Sequence, residues 1–574
     1  MSLLLEHGPG GEASRSSADR YWLLAAMASL LLKLWLVGAH DLMMTITPHD
    51  DLLFVNLAAH LLNGEWLGPY NQLTLIKGSF YSIFMAMAYW LNIPLLTAQQ
   101  LLQAGACAVF TLALRPVIQR PWLLFLFFLL LLFQPFSYNY PAVGRVLQLG
   151  IYPPLGLLVF GLALGLALRT AVPWRRQWGW ALSLGLATGV FWITRDESVW
   201  IVPSLGLLVL WSLWHAVVHG RSWWRAAAPY LPALAGWSGV LLLVCGLNFV
   251  HYGVFVRNEL ESAEFKSAYG GLLRIRSADD RRYYPVVRAA RQQAYAVSPS
   301  MREIESHLDG DIGARWQELC SQADMSGDTV RGGTACPDLP AAFFIWAFRD
   351  AVTTAGHHRD ALETLAFYRR IGEEIDRACE AGQIDCRPRA TSLVPPWRSE
   401  YTAAVWPIFW RLLRQTVALV PFAATTEGWL GRGDTRQAML FEAVTGERLL
   451  TTRRDVQRYV PAFHQHLNRE KTRILEDIGH GYQRVVPPLF WLVLGLCPAL
   501  TLWDLRRRRL APLTLCNWAI LGGLAAVTAV MTLVQLTSYA SVGRVMHTSY
   551  QLVPLFVLVG LLDGAGRIFR LDRQ

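Results

Sequence analysis

The chain has 574 residues, of which 53% are hydrophobic and only 16% charged, against roughly 25% charged residues in a soluble globular protein. The formal charge is +10, but no Lys/Arg-rich repeat and no zinc-finger spacing accompanies it, so nothing points to nucleic acid as a partner. The apolar residues come in unbroken blocks such as Trp122 to Phe133 and Leu155 to Leu168, and about 20 apolar residues are enough for a helix to cross the hydrocarbon core of a bilayer.

Residues 1–20 are Gly/Ser-rich and read as a cytoplasmic tail. The run 21–39 is long for a signal-peptide core, so an uncleaved first helix is expected, with Val37 and Ala39 offering a passable cleavage site as the alternative. Further apolar runs fall at 79–95, 97–114, 121–137, 150–168, 178–194, 199–218 and 228–250. A polar region, 252–485, follows, and then runs at 486–503, 511–536 and 545–563. This predicts about eleven crossings. The expected organisation is a membrane module over 21–251 with an outer loop at 40–78, a soluble domain over 252–485, and C-terminal helices with a cytoplasmic tail over 486–574.

Orientation follows from the basic loops. Asp504 to Arg509 is the densest basic cluster in a short loop and is expected inside, as is the tail with Arg567, Arg570 and Arg573. Counting back puts 252–485 outside, Arg221 and Arg225 inside, Arg195-Asp196-Glu197 outside, and Arg169, Arg175 and Arg176 inside. The first half conflicts with this count. If every run crosses, 40–78 falls on the cytoplasmic side, whereas an inside N-terminus puts it outside. Ser79 to Leu102, interrupted by Asn92 and Pro94, is the segment expected to fail as a plain crossing and to be partly re-entrant.

The polar region reads as mostly helical, with Asp360 to Gly382 as its clearest amphipathic stretch. Residues 403–422 are apolar but carry Arg411 and Arg414. They read as a helix on the membrane surface or as a core helix of the domain. Cys107, Cys245, Cys497 and Cys516 lie in apolar runs, as small buried hydrophobes do. Cys320, Cys336, Cys379 and Cys386 lie in the polar region and are expected to form two disulfides in an oxidising compartment, with free thiols as the alternative.

Three charged clusters could carry chemistry. Pro48-His49-Asp50-Asp51 opens an amphipathic stretch. Its acids either cap a helix or supply a general base that takes a proton from an attacking hydroxyl. Lys77, in Leu75 to Tyr81, stands where the chain returns to the membrane and either snorkels to the interface or meets a lipid phosphate. Thr194-Arg195-Asp196-Glu197 ends a crossing, flanked by Trp192 and Trp200. Either these charges form a solvated helix end, or the arginine offers a fork for phosphate and the acids a second carboxylate. Two echoing segments, Gly144-Arg145-Val146 before Tyr152 and Gly543-Arg544-Val545 before Tyr550, place an arginine at the outer mouth of a helix. They are either interfacial cations or a pair facing one polar cavity. A leaving phosphate would need such cations to meet its developing charge.

These features resemble the GT-C superfamily of membrane glycosyltransferases, which use polyprenyl-phosphate sugars. The likeness rests on Asp50-Asp51 after a first helix, on Lys77-Gly-Ser-Phe-Tyr81 at the re-entry, and on Arg195-Asp196-Glu197. It covers roughly 20–250. Two features depart from the family pattern: Gly78 stands where relatives often have proline, and the soluble region lies between crossings. The resemblance implies a polytopic α-helical membrane protein with a GT-C-like fold, carrying a mostly helical extracytoplasmic domain inserted between late transmembrane helices. It implies an inverting transfer from a polyprenyl-phosphate-linked sugar donor to a lipid-linked glycan or protein acceptor, on the periplasmic side of a bacterial inner membrane. Asp50 or Asp51 would be the base. His49, Lys77, Tyr81, Arg145, Tyr152, Arg195, Asp196, Glu197 and Arg544 would contact substrate. A divalent metal (Mg or Mn) on Asp50 and Glu197 is the one cofactor left open. The alternatives are a transporter or flippase of lipid-linked saccharides and an assembly protein that binds through its outer domain. Apart from Lys33, the charges gather at one face instead of lining the helices, which favours surface chemistry over a conduction path.

Overall fold

The computed structural model describes residues 12–170, 172–220, 222–322, 336–389, 393–425, 430–507, 510–538 and 546–568. Among them β-pairing is confined to isolated bridges. The principal helices in chain order are α1 (Glu12–Val37), α2 (Asp51–Leu62), α3 (Phe80–Trp90), α4 (Leu95–Ala113), α5 (Pro121–Leu132), α6 (Tyr152–Ala167), α7 (Trp174–Trp192), α8 (Val202–Val218) and α9 (Tyr230–Tyr252). The polar region supplies α10 (Ala263–Arg274), α11 (Arg288–Val297), α12 (Ile312–Gln322), α13 (Ala341–Thr354), α14 (Ala361–Glu380), α15 (Ser399–Val417) and α16 (Thr435–Thr445). The chain closes with α17 (Ala462–Arg506), α18 (Pro512–Thr537) and α19 (Leu552–Ile568).

Among the described residues eight helices are long and apolar enough to cross a membrane, or nine if Pro121–Leu132 and Pro135–Val143, bent by 57°, form one span. The protein is a polytopic α-helical membrane protein. Helix α7, like α4, is 19 residues long, and it packs between α6 and α9. With the bent pair taken as one span and α7 counted beside the nine, the described residues hold ten spans, one fewer than the apolar runs suggest.

The missing crossing is the run 79–95. Helix α3 has 11 residues, about 16 Å of rise against a hydrocarbon core of about 30 Å. It stops because Asn92 adopts a left-handed conformation (φ 53°) and the Ile93 amide returns to the Ala88 carbonyl at 2.9 Å. Pro94 then forces an extended residue before α4. The segment is therefore a short helix packed against α2, and the topology conflict of the sequence disappears. Residues 40–94 meet the other loops at one end of the bundle. The Met43 amide donates to the Gly144 carbonyl (2.8 Å), and the Glu259 amide to the Leu75 carbonyl (2.8 Å).

The break after α5 is held by an intramembrane lysine. Lys33 of α1 is fully buried, and its Nζ donates to the Leu132 carbonyl (2.5 Å) and to Ser137 Oγ (2.6 Å). A hydrogen-bond donor at a helix C-terminus meets carbonyls that have no helical partner. At the opposite end from the loops, Arg567 donates to Asp504 (2.6 Å) and Asp563 (3.0 Å), and Thr514 Oγ1 donates to Asp563 (2.7 Å). This ties α17, α18 and α19 together.

In the polar region α10 packs along α14. Cys320–Cys336 and Cys379–Cys386 are disulfide-bonded, while Cys107, Cys245, Cys497 and Cys516 are free thiols. The division of the cysteines read from the sequence holds. Helix α15 buries Ile408, Leu412, Leu413 and Val417 and exposes Trp406 and Trp410. It packs on α18, so it lies against the membrane helices with its tryptophans outward, as an interfacial helix does. Helix α17 has 45 residues and rises about 67 Å. It runs unbroken across residue 485 and carries the membrane helix directly into the polar region.

Candidate functional site

Six segments of the chain converge at the loop end of the bundle. They enclose a cavity of about 300 Å³ lined by Asp50, Phe54, Lys77, Gly78, Gln148, Thr194, Arg195, Asp196, Glu197 and Trp346, with Ile76, Leu147, Leu149 and Leu260. That volume stands at the lower end of the range for small-molecule sites. The cavity combines charged groups that point inward with apolar walls.

Asp50 stands at the N-cap of α2, yet its side chain makes no capping hydrogen bond. It turns to Lys77, whose Nζ lies 2.5 Å from Oδ1. Both remain partly exposed, 36% for the acid and 22% for the lysine, so the pair opens onto the cavity. Asp51 behaves differently although it is adjacent. Its side chain is fully buried and forked against Arg145, with Nε 3.2 Å from Oδ1, and it also accepts from Thr45 Oγ1 at 2.6 Å. Arg145 is fixed by the bridge between Met43 and its own backbone and donates to Thr45 at 3.1 Å. Asp51 and Arg145 thus lie beneath the cavity and brace the start of α2.

On the far wall Arg195 donates to both oxygens of Glu197, at 3.1 and 2.8 Å. Asp196 accepts from Asn258 (2.7 Å) and Arg257 (3.3 Å). Arg257 also donates to the Trp192 carbonyl at 2.6 Å. The polar region is therefore bonded to the end of α7. Tyr152 lies under Arg195, its ring 5.7 Å from the guanidinium carbon, stacked on Phe191 and bonded to Ser198 at 3.1 Å. Tyr81 is buried, with Gln99 Nε2 3.1 Å from its hydroxyl and Phe54 edge-on, and it does not line the cavity. His49 also lies one layer back. Its ring meets Trp346 at 4.5 Å, and Asp350 stands 3.8 Å from Nε2. Burial pushes the His49 imidazole down to about 4, against the pull of Asp350, so it is neutral near pH 7. Arg544 lies outside the described residues.

Gly78 has a steric reason. A Cβ there would stand 2.2 Å from the Ile193 carbonyl oxygen and 2.7 Å from that of Thr194. The loop carrying Lys77 thus presses its backbone against the end of α7, and Gln148 Nε2 ties the two by donating to Thr194 (2.6 Å) and Gly78 (3.3 Å) carbonyls. Gly78→Ala is expected to destabilise the protein by roughly 1–3 kcal/mol through overpacking, measured as a lowered melting temperature in detergent. An unchanged melting temperature would mean that the loop does not pack against α7.

Among the described residues no group of three or more His, Cys, Asp or Glu is placed to hold a metal ion. The two acids considered as ligands, Asp50 and Glu197, face Lys77 and Arg195 respectively. Among the lining residues, sequence reasoning missed Phe54, Gln148 and Trp346, and it missed Asp350 in the layer behind. Trp346 and Asp350 lie on α13, some 270 residues from Lys77 in the chain, and nothing in the apolar string Phe343 to Trp346 marks its last residue as facing the loops.

No protein-family model matches the chain, and no curated protein matches it. Among solved structures the chain is similar to the crystal structure of ArnT from Cupriavidus metallidurans bound to undecaprenyl phosphate. The match has 13% sequence identity and a TM-score of 0.28, and covers 95% of this chain and 79% of that chain.

Proposed function

We propose that the protein is a GT-C-type membrane glycosyltransferase, moving a sugar from a polyprenyl-phosphate donor to a hydroxyl acceptor at the outer face of a bacterial inner membrane. The observation that carries this reading is the Asp50–Lys77 pair, which opens onto a cavity shared with Arg195 and Glu197. The two oxidised cysteine pairs support an outer, oxidising location for the polar region. The basic loops at the opposite end agree with it.

The chemistry assigns each group a task. An acceptor hydroxyl attacks the anomeric carbon, forming the new C–O bond as the bond to the donor phosphate oxygen breaks. The bonding electrons leave on the lipid phosphate, and the configuration inverts. Asp50 takes the hydroxyl proton and later returns it to solvent. Lys77 meets the charge on the departing phosphate. In the resting state these two neutralise each other; donor binding would draw Lys77 to the phosphate and free the carboxylate. Arg195 is the second cation, with Glu197 as its orienting partner.

The test is incubation of the purified protein with radiolabelled polyprenyl-phosphate sugars and membrane extract. The expected result is consumption of a donor, with label moved to a new glycosidic bond. If no donor is consumed, the enzyme reading fails. Translocation of a lipid-linked saccharide across sealed vesicles with no new bond formed would establish a transporter instead.

A further inference from the structure

The wall of the cavity opposite the membrane helices comes from the inserted polar region, through Leu260 and the indole of Trp346. Lys77 Nζ lies 5.9 Å from the Trp346 ring centroid, so the ring stands beside the cation assigned to the phosphate. It is backed by His49, which meets it edge-on with planes 85° apart. Asp350, one helical turn on, accepts from Trp316 Nε1 at 2.8 Å. Three residues after Trp346, the fully buried Arg349 pairs with Glu259 and donates to the Gln72 carbonyl at 2.6 Å. The Glu259 amide holds the Leu75 carbonyl at 2.8 Å. One ion pair thus fastens α13 to the backbone two residues before Lys77. This sets the distance from indole to ammonium by the fold, not by a flexible loop.

We propose that Trp346 is the face against which the donor sugar ring stacks, so that the inserted region selects the donor as well as any acceptor. A pyranose or furanose presents an apolar C–H face and a rim of hydroxyls. An aromatic plane suits the first, and Glu197 and Asp196 in the same lining offer acceptors for the second. This rests on the glycosyltransferase reading, and it assigns the sugar and the phosphate to different residues.

The experiment separates them. Binding of undecaprenyl phosphate and of a panel of pentosyl- and hexosyl-phosphoundecaprenols would be measured for the wild-type protein and for Trp346→Leu and Trp346→Phe in detergent. The wild type is expected to bind its best sugar-bearing lipid more tightly than the bare lipid phosphate. Trp346→Leu should bind that lipid about tenfold more weakly, roughly the worth of one well-packed aromatic face, with affinity for bare undecaprenyl phosphate unchanged. Trp346→Phe should keep most of the difference. Equal loss for both lipids, leucine serving as well as phenylalanine, or a wild type that does not distinguish the lipids would each overturn the inference. None of those results touches the enzyme reading, which falls only if the wild type consumes no donor.

Discussion

Asp50→Asn is expected to lower donor turnover by about 10²–10⁴, the usual worth of a general base, with the melting temperature little changed. Asp51→Asn is expected to do the reverse. It leaves the Arg145 guanidinium, with a side chain only 7% exposed, without its counter-charge, and breaking a buried pair in this way costs roughly 3–5 kcal/mol. Two neighbours of the same residue type thus differ because one faces the cavity and a partly exposed lysine, while the other is fully buried beneath it. Turnover and thermal unfolding of both variants in one detergent decide the matter. An Asp50→Asn protein that turns over normally would remove Asp50 as the base. An Asp51→Asn protein that melts like the wild type would remove the brace.

Arg349→Met is expected to destabilise the protein by a similar amount, roughly 3–5 kcal/mol, for the same reason. Glu259 and Arg349 are each 2% exposed, and Tyr70 and His358 bond to the same carboxylate at 3.1 and 3.4 Å. Burial alone would raise the Glu259 carboxyl. The Arg349 guanidinium and the His358 hydrogen bond outweigh it and hold the group down to about 2. A carboxyl depressed in the folded state contributes stability that is fully present above its ordinary value of 4.5 and is lost as pH falls toward 2. Wild-type stability should therefore decline through that window. The Arg349→Met protein, whose Glu259 no longer gains by ionising, should lose less over the same range, so the gap between the two narrows as pH falls. Melting temperatures at pH 7 and pH 4 test this. A gap that is constant or widens would show that the pair is not what holds α13 to the loop before Lys77.

The candidate site was partly legible. Asp50, Lys77, Arg195, Asp196 and Glu197 announced themselves as charges beside apolar runs, where an ionised group needs a reason, and the fold brings all five to one cavity. Their pairing was not legible. Lys77 chooses Asp50 across 27 residues, and Arg145 chooses Asp51 across 94. Sequence alone cannot rank two adjacent aspartates facing two distant cations. His49 and Tyr81 carry suitable chemistry but stand one layer behind the wall, because an indole covers the first and helix packing buries the second.

What the sequence determined by itself is the membrane class, most of the crossings and the division of the cysteines. In hydrocarbon every backbone polar group must be satisfied within its own helix, so run length alone settles which segments can span. The exception, 79–95, was apolar enough but was ended by Asn92 and Pro94 after 11 helical residues. The tertiary structure decided which carboxylate opens to the cavity, which cation it meets, and that α13 of the inserted region closes the far wall with Trp346. Those outcomes depend on contacts between segments up to about 300 residues apart. They were fixed by a glycine pressed against a helix end and by one buried ion pair, and neither leaves a periodic trace in the chain.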